Sequence, residues 1–267
     1  MRIVDRSVSI EDATVFQVQV VKPGGDSARL SYATQLEHVV RVYANGVQVM
    51  KLTCSPNRIV ELVVGRLFTE NMVSGIEDID EICLSERSDR VDVYLANGSA
   101  PLSLGERVVV DVGTCYVDSR TQSSMDVRDE DLPQVEPIPW RAEDVFALAR
   151  VFESDTPMHR RTFGAHSCYL ARGNEVLFCC EDLGRHNAFD KVVGSALING
   201  IDLRECIVFT SGRVPTDMLL KAVRARIPIM VSKAVPTDLA VNMAQEHKLT
   251  LICSAHSDSF VVVNDPR

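Results

Sequence analysis

The most restrictive feature of the chain is a repeat. Ile207–Asp217 (IVFTSGRVPTD) and Pro228–Asp238 (PIMVSKAVPTD) share an apolar run, a serine and a Val-Pro-Thr-Asp ending, offset by 21 residues. Each copy reads as a strand, a polar loop and a helix opened by proline. Two copies are too few for a solenoid, so they imply consecutive βα units side by side in a partly parallel sheet. The flanking pattern extends that sheet. A helix starts near Ala142, and Ser167–Leu170 and Glu175–Cys180 form a hairpin turning at Gly173-Asn174. A helix near Asn187–Ile198 leads to the strand Cys206–Thr210 and the helix Pro215–Arg224. The strand Pro228–Val231, the helix Pro236–Glu246 and the strands Leu249–Cys253 and Phe260–Val263 complete the alternation of an α/β layered domain.

The first half reads differently, as strands and hairpins around one helix. His38–Met50 alternates about Asn45-Gly46, a dipeptide suited to a type I′ turn. Ser55-Pro56 offers an N-cap and a first-turn proline ahead of Ile59, Val60, Val63, Leu67 and Phe68. Strand-like stretches follow at 81–84, 90–95 and 107–112. The segment 119–140 is polar and acidic and ends in Pro133, Pro137 and Pro139, as an extended connector does. These breaks divide the chain into a small α+β domain (1–118), a connector (119–140) and an α/β domain (141–267).

Charge narrows the classes of partner. The 267 residues carry a formal charge of −9, which disfavours nucleic acid and anionic membrane surfaces. Residues 181–267 hold ten acids and ten bases, so the surplus lies before them and this neutral part is the better place for an anion. No apolar core follows Arg2, Asp5 and Arg6 as in a signal peptide, and no run of about 18 apolar residues occurs. The expected setting is the cytoplasm, with the eight cysteines reduced and mostly packed as small hydrophobes.

Ligands of open α/β sheets bind beyond the carboxyl ends of the strands. Three strands end in Ser211-Gly212-Arg213, Ser232-Lys233 and Ser254-Ala255-His256. The first two lead into helices, whose N-termini favour phosphate. Gly212 lets a backbone approach an anion, and Arg213 and Lys233 add charge. Plain helix capping explains the serines and prolines but not the bases. The segment Glu181–Lys191 (EDLGRHNAFDK) reads as a charged loop with Asn187 capping the next helix and with Arg185 and His186 as ligand contacts. Cys179-Cys180 are adjacent, no Cys-x-x-Cys occurs, and a His-x-Glu with Pro-Cys-x-x-Cys is missing, so no zinc deaminase site is expected. Cys115, beside Gly113 at the mouth of the connector, is placed either as a reactive thiol or as an incidental exposed one.

The segments 181–194 (EDLGRHNAFDKVVG), 210–222 (TSGRVPTDMLLKA), 227–241 (IPIMVSKAVPTDLAV) and 249–255 (LTLICSA) resemble the formate dehydrogenase accessory family, the FdhD sulfur carriers. Residues 45–70 resemble that family's first domain. The resemblance implies a cytidine deaminase-like three-layer α/β domain without the zinc motif, preceded by the smaller α+β domain. It implies a carrier that takes persulfide sulfur from a cysteine desulfurase to the molybdenum bis(molybdopterin guanine dinucleotide) cofactor of formate dehydrogenase. That cofactor is cargo; no metal is bound by the protein directly. The family's habit also suggests a homodimer. By the same resemblance Cys115 carries the persulfide. Asp118 stands where the family's Cys-Gly-x-Cys loop has its second cysteine, which leaves a one-cysteine persulfide. The family's cofactor loop falls at Ser254, Ala255, His256, Ser257, Asp258 and Ser259, here without arginine. Gly212, Arg213 and Lys233 are then expected at the phosphates, with Ser211 among the cofactor contacts and 254–259 shaping the pocket. The alternative reading is a factor that binds and delivers the guanine dinucleotide, or a related nucleotide, without sulfur chemistry.

Overall fold

The computed structural model describes residues 1–96, 109–111 and 132–267, the strand at 109–111 as backbone only. The chain opens with β1 (Arg2–Asp5) and then a free-standing ribbon of β2 (Ala13–Val21) and β3 (Ser27–Gln35), which joins neither larger sheet. Pro23 and Gly24 (φ 100°) make its turn, closed by Gly25 N–H donating to the Lys22 carbonyl at 3.1 Å. This ribbon is absent from the sequence reading.

β4 (His38–Ala44), β5 (Val47–Cys54), β6 (Ile79–Leu84), β7 (Arg90–Leu95) and β8 (Val109–Asp111) join β1 in a first sheet ordered β1-β6-β7-β4-β5-β8. The expected hairpin is there. Asn45 (φ 47°) and Gly46 (φ 85°) both sit left-handed, as a type I′ turn requires. α1 (Ile59–Thr69) covers one face, burying Leu62, Val63 and Leu67 against Val40, Val42, Leu52 and Ile82. Each such side chain contributes about 1.5–3 kcal/mol. The expected cap is not where the sequence put it. α1 begins after Arg58, left-handed at φ 49°, and the Ser55 hydroxyl instead accepts a hydrogen bond from the Leu183 amide at 3.1 Å. Ser55 is spent on tying the two halves together.

The second sheet contains β9 (His166–Arg172), β10 (Glu175–Asp182), β11 (Ile207–Thr210), β12 (Ile229–Ser232), β13 (Thr250–Cys253) and β14 (Val261–Asn264), ordered β10-β9-β11-β12-β13-β14. β11, β12 and β13 are parallel, with Ile207 beside Ile229 and Thr210 beside Ser232. The repeat therefore lies in register with itself, and Val214 pairs with Pro236 beyond the strand ends. Alternation splits the sheet's side chains. Ile207, Phe209, Ile229, Val231 and Ile252 face α2 (Ala142–Ser154), which α3 (Pro157–Thr162) follows. Val208, Met230 and Leu251 face α4 (Arg185–Ile198), α5 (Thr216–Arg224) and α6 (Asp238–Glu246).

α4 and α1 lie back to back between the two sheets. Glycines permit the close crossing: a methyl group at Gly65 would overlap the Asp190 carbonyl, and one at Gly194 the Glu61 carbonyl. With apolar and helical neighbours on several sides, every residue of α4 from His186 to Ala196 is buried. No helix of the described residues is long and apolar enough to cross a membrane.

Candidate functional site

The carboxyl ends of β10, β11, β12 and β13 and the start of β9 reach the same edge of the second sheet. Its loops are stitched to one another. The Ser211 amide donates to the Ser167 carbonyl at 3.0 Å, Lys233 N–H to Thr210 O at 3.0 Å, and Ala255 N–H to Ser232 O at 3.0 Å. The three predicted strand ends are thus neighbours on a rigid rim. The basic residues do not run directly into helices, however. The pairing of Val214 with Pro236 interposes a short extended stretch before α5 and α6 begin at Thr216 and Asp238.

The two repeat serines diverge in role. Ser232 Oγ donates to the Gly212 carbonyl at 2.7 Å and accepts from Ala234 N–H at 2.9 Å, so it is wholly structural. Ser211 Oγ accepts from Ser167 N–H at 3.1 Å and meets His166 Nδ1 at 3.1 Å. Burial lowers the His166 pKa, and the nearby charges of Arg185 and His159 lower it further, so the ring is neutral at pH 7. His166 is the residue that the sequence reading missed. Only its place at the start of β9, antiparallel to β11, brings it to Ser211.

Arg185 packs against Gly212, and Arg213 follows it in the chain. Side-chain carbons of Arg185 lie 2.8 and 2.9 Å from where a Gly212 Cβ would sit, so the glycine makes room for the arginine stem. The glycine thus has a steric reason of its own, beside the expected approach of backbone to an anion. Arg185 Nε is buried without a hydrogen-bond partner among the described residues. Arg213 is exposed beside it. His186, expected as a ligand contact, lies at 3.3 Å from Asp217 Oδ2 through Nε2. Burial works to raise the Asp217 carboxyl, but the hydrogen bond and charge of His186, with Arg185, bring its pKa down on balance.

Lys233 is differently placed. Its Nζ lies 3.2 Å from Glu153 Oε1 at the end of α2, and His256 Nδ1 lies 3.6 Å from the same oxygen. A hydrogen bond from Ser257 is the main reason the Glu153 carboxyl stays below its ordinary value; burial opposes it and Lys233 assists. The 254–259 loop is also closed on itself: Ser254 is left-handed (φ 50°), Ala255 is packed into the α2 side of the core, and His256 N–H donates to Ser259 O at 2.8 Å. Ser259 Oγ in turn donates to Asp258 Oδ1 at 3.1 Å. The rim therefore has a basic half around Arg185, Gly212 and Arg213 and a self-neutralised half around Lys233 and residues 254–259.

Most of the Glu181–Lys191 segment serves structure instead of ligand contact. Its helix starts at Arg185, so Asn187 lies inside α4 and caps nothing. Asn187 Nδ2 donates to Thr53 O at 2.8 Å and to Asp182 Oδ1 at 2.9 Å, and its Oδ1 accepts from Arg66 Nη2 at 3.0 Å. Lys191 Nζ sits 2.6 Å from Asp182 Oδ2, both fully buried. Asp190 pairs with Arg66 Nε at 2.9 Å and Lys221 Nζ at 3.0 Å, and Lys221 also meets Glu70 at 3.0 Å. Three acids and three bases thus neutralise one another in a dry clasp between α1, α4, α5 and β10. Glu181 accepts from the Met158 and His159 amides at 2.7 and 2.9 Å, holding the start of α3.

The described cysteines are poor thiolates. Burial raises Cys168, Cys180 and Cys83, lifts Cys206 to about 11, and pushes Cys179 and Cys253 to about 12. Cys54 is buried. Cys115, with Asp118, lies outside the described residues. Among those residues no three His, Cys, Asp or Glu side chains converge as metal ligands. A cleft of about 1120 Å³ opens at the far ends of α1, α4 and α5, lined by Phe68, Ile76, Leu197, Ile201 and Arg226 among others, away from the rim.

Residues 35–267 match the model of the FdhD/NarQ family. A protein of Bacillus subtilis (strain 168) named sulfur carrier protein FdhD is 29% identical over 247 residues, covering 91% of this chain and 92% of its own. One of the same name from Methanothermobacter thermautotrophicus is 32% identical over 228 residues, covering 85% and 87%. The fold superposes on a crystal structure from Desulfotalea psychrophila, described as a candidate formate dehydrogenase accessory protein. The TM-score is 0.78 at 23% identity, over 96% of this chain and 99% of that one.

Proposed function

The chain belongs to the FdhD/NarQ family, and from that premise we propose that it is a cytoplasmic sulfur carrier for formate dehydrogenase maturation. Cys115 receives persulfide sulfur from a cysteine desulfurase and yields it to the molybdenum bis(molybdopterin guanine dinucleotide) cofactor, held as cargo at the strand-end rim. The observation that supports the sulfur role is the thiol inventory. Cys83, Cys168, Cys179, Cys180, Cys206 and Cys253 are all shifted upward, chiefly by burial, and a thiol near 12 is about one part in ten thousand thiolate at pH 8. Cys54 is set aside by its burial, which leaves Cys115 as the thiol that this reading assigns to carry sulfur.

The basic half of the rim supports the cargo reading. Arg185, whose stem packs against Gly212, and the exposed Arg213 that follows Gly212 in the chain supply two guanidiniums, with neutral His166 and Ser211 near Arg185 as hydrogen-bonding groups. Planar guanidiniums match phosphate oxygens in pairs. Lys233 and the 254–259 loop then shape the guanine side, with less charge to offer. The α/β unit is read as a cytidine deaminase-like scaffold put to a use without zinc, and the functional unit as a homodimer.

A second reading, delivery of the cofactor without sulfur chemistry, is favoured by one observation: Asp118 occupies the place of the family's second cysteine. Complementation separates the two. In cells lacking their own copy, the carrier reading expects both Cys115→Ala and Arg213→Ala to lower formate dehydrogenase activity. Full activity with Cys115→Ala, alongside loss with Arg213→Ala, would discard the carrier in favour of delivery.

A further inference from the structure

The ribbon of β2 and β3 carries an unbroken apolar stripe on one face, and the described residues leave that stripe largely open to solvent. Directly opposed residues of an antiparallel pair share a face. The pairs Phe16 with Tyr32, Val18 with Leu30 and Val20 with Ala28 form an unbroken apolar stripe, flanked by Thr14 and Thr34. The other face is mixed: Gln17 with Ser31 and Gln19 with Arg29 lie at its centre between Val15 with Ala33 and Val21 with Ser27, and there Gln17 and Gln19 donate to Ser31 and Ser27 at 2.9 Å. Solvent reaches 53% of Phe16, 46% of Tyr32 and 40% of Leu30. Among the described residues the ribbon is tied down near its base, where Leu36 N–H donates to Asp12 O at 2.9 Å and Gln35 bonds Ser55, and α3 packs against β3.

An isolated two-stranded ribbon is marginally stable in water and needs an apolar surface to rest on. We propose that the apolar face of this ribbon lies against a second copy of the same chain, each copy extending its ribbon onto the other. The inference rests on the homodimer of the functional reading and adds the surface that makes it.

Area argues for a second copy over an unrelated protein. Nine residues per strand span about 30 Å and two strands about 10 Å, a footprint of about 300 Å². One ribbon laid on a foreign surface buries about 600 Å² counting both sides, below the range of specific stable interfaces. Two ribbons face to face bury no more. Reciprocal ribbons under two-fold symmetry bury about 1,200 Å², the lower end of that range. The stripe also carries no charge, so it offers no pattern by which a charged partner would be selected. All but the last residue of the ribbon precedes the segment 35–267 matched by the family model.

The test is the mass in solution of the full chain, by sedimentation equilibrium, for three proteins. Wild type is expected as a dimer. Phe16→Asp with Leu30→Asp is expected to raise the dissociation constant at least about 100-fold, leaving a monomer with the wild-type circular dichroism spectrum. Gln17→Asp with Ser31→Asp, a polar pair on the opposite face, is expected to leave the dimer. The milder Phe16→Ser with Leu30→Ser reads the same effect if the charged pair disturbs the fold. A monomeric wild type overturns both the homodimer and its surface. A wild-type dimer that the apolar-face substitutions leave intact, or that the opposite-face pair dissociates equally, overturns the ribbon and leaves the homodimer standing.

Discussion

Replacing Asp190 by alanine should be among the most damaging single changes away from the rim. Asp190 Oδ1 accepts from Thr69 Oγ1 at 2.7 Å and Lys221 Nζ at 3.0 Å, and Oδ2 faces Arg66 Nε at 2.9 Å, with all three ionic side chains almost wholly buried. Removing the carboxylate takes away the counter-charge that these two buried cations share with Glu70. Breaking one partner out of such a set costs about 3–5 kcal/mol. Domains have about 5–15 kcal/mol in total, so the loss is a large fraction. For a chain of this size it lowers Tm by about 10 °C. Urea unfolding followed by circular dichroism reads the free energy, and hydrogen exchange should show α1 and α4 losing protection together. The double variant Asp190→Ala with Lys221→Met tests the cause, because it also removes one stranded cation and should recover about 1–2 kcal/mol. A loss below about 1 kcal/mol, or a double variant less stable than the single one, would refute a dry and mutually neutralised clasp.

Three further outcomes follow from the geometry. Gly65→Ala forces α1 away from the Asp190 carbonyl and should cost about 1–3 kcal/mol in urea unfolding, whereas Gly46→Asn, already in an open left-handed turn, should cost little. His166 should titrate below its ordinary value near 6.5 by NMR, chiefly because it is buried, and Arg185→Gln should move it part of the way back. The sign for stability follows: with the folded pKa depressed, its contribution is complete above 6.5 and is lost as pH falls through 6.5 toward the folded value. In calorimetric titration with GDP, Arg213→Ala should weaken binding about tenfold or more, the loss of a charge-assisted bond, and Lys233→Ala much less because Glu153 already engages that amine. Equal losses would return the cradle to both halves of the rim.

The α/β half was legible because its signals are local. The repeat announced two βα units, and the structure sets them in register, Ile207 on Ile229. Asn45-Gly46 and Gly173-Asn174 marked turns that exist, since left-handed backbone selects few residue types. What escaped is what depends on distant partners. Ser55-Pro56 looked like a helix cap, but Ser55 is drawn to Leu183, and α1 starts three residues after Pro56. The charges of Glu181–Lys191 looked like a solvent-facing loop because no sequence pattern reveals that Arg66, from the first sheet's helix, neutralises Asp190. Lys233 looked free for the same reason, with Glu153 lying 80 residues away in the chain. His166 reached the rim only through strand pairing. The ribbon went unread although β2 alternates, because its two strands bury almost nothing within one copy.

The claim on which the account turns is that Cys115 carries sulfur, and mass spectrometry tests it directly. The purified chain is incubated with a cysteine desulfurase and cysteine, digested without reductant and searched for added sulfur. One extra sulfur atom on the peptide holding Cys115, absent in Cys115→Ala, is the result predicted. No added sulfur, or sulfur found instead on one of the buried thiols such as Cys179 or Cys253, would contradict it.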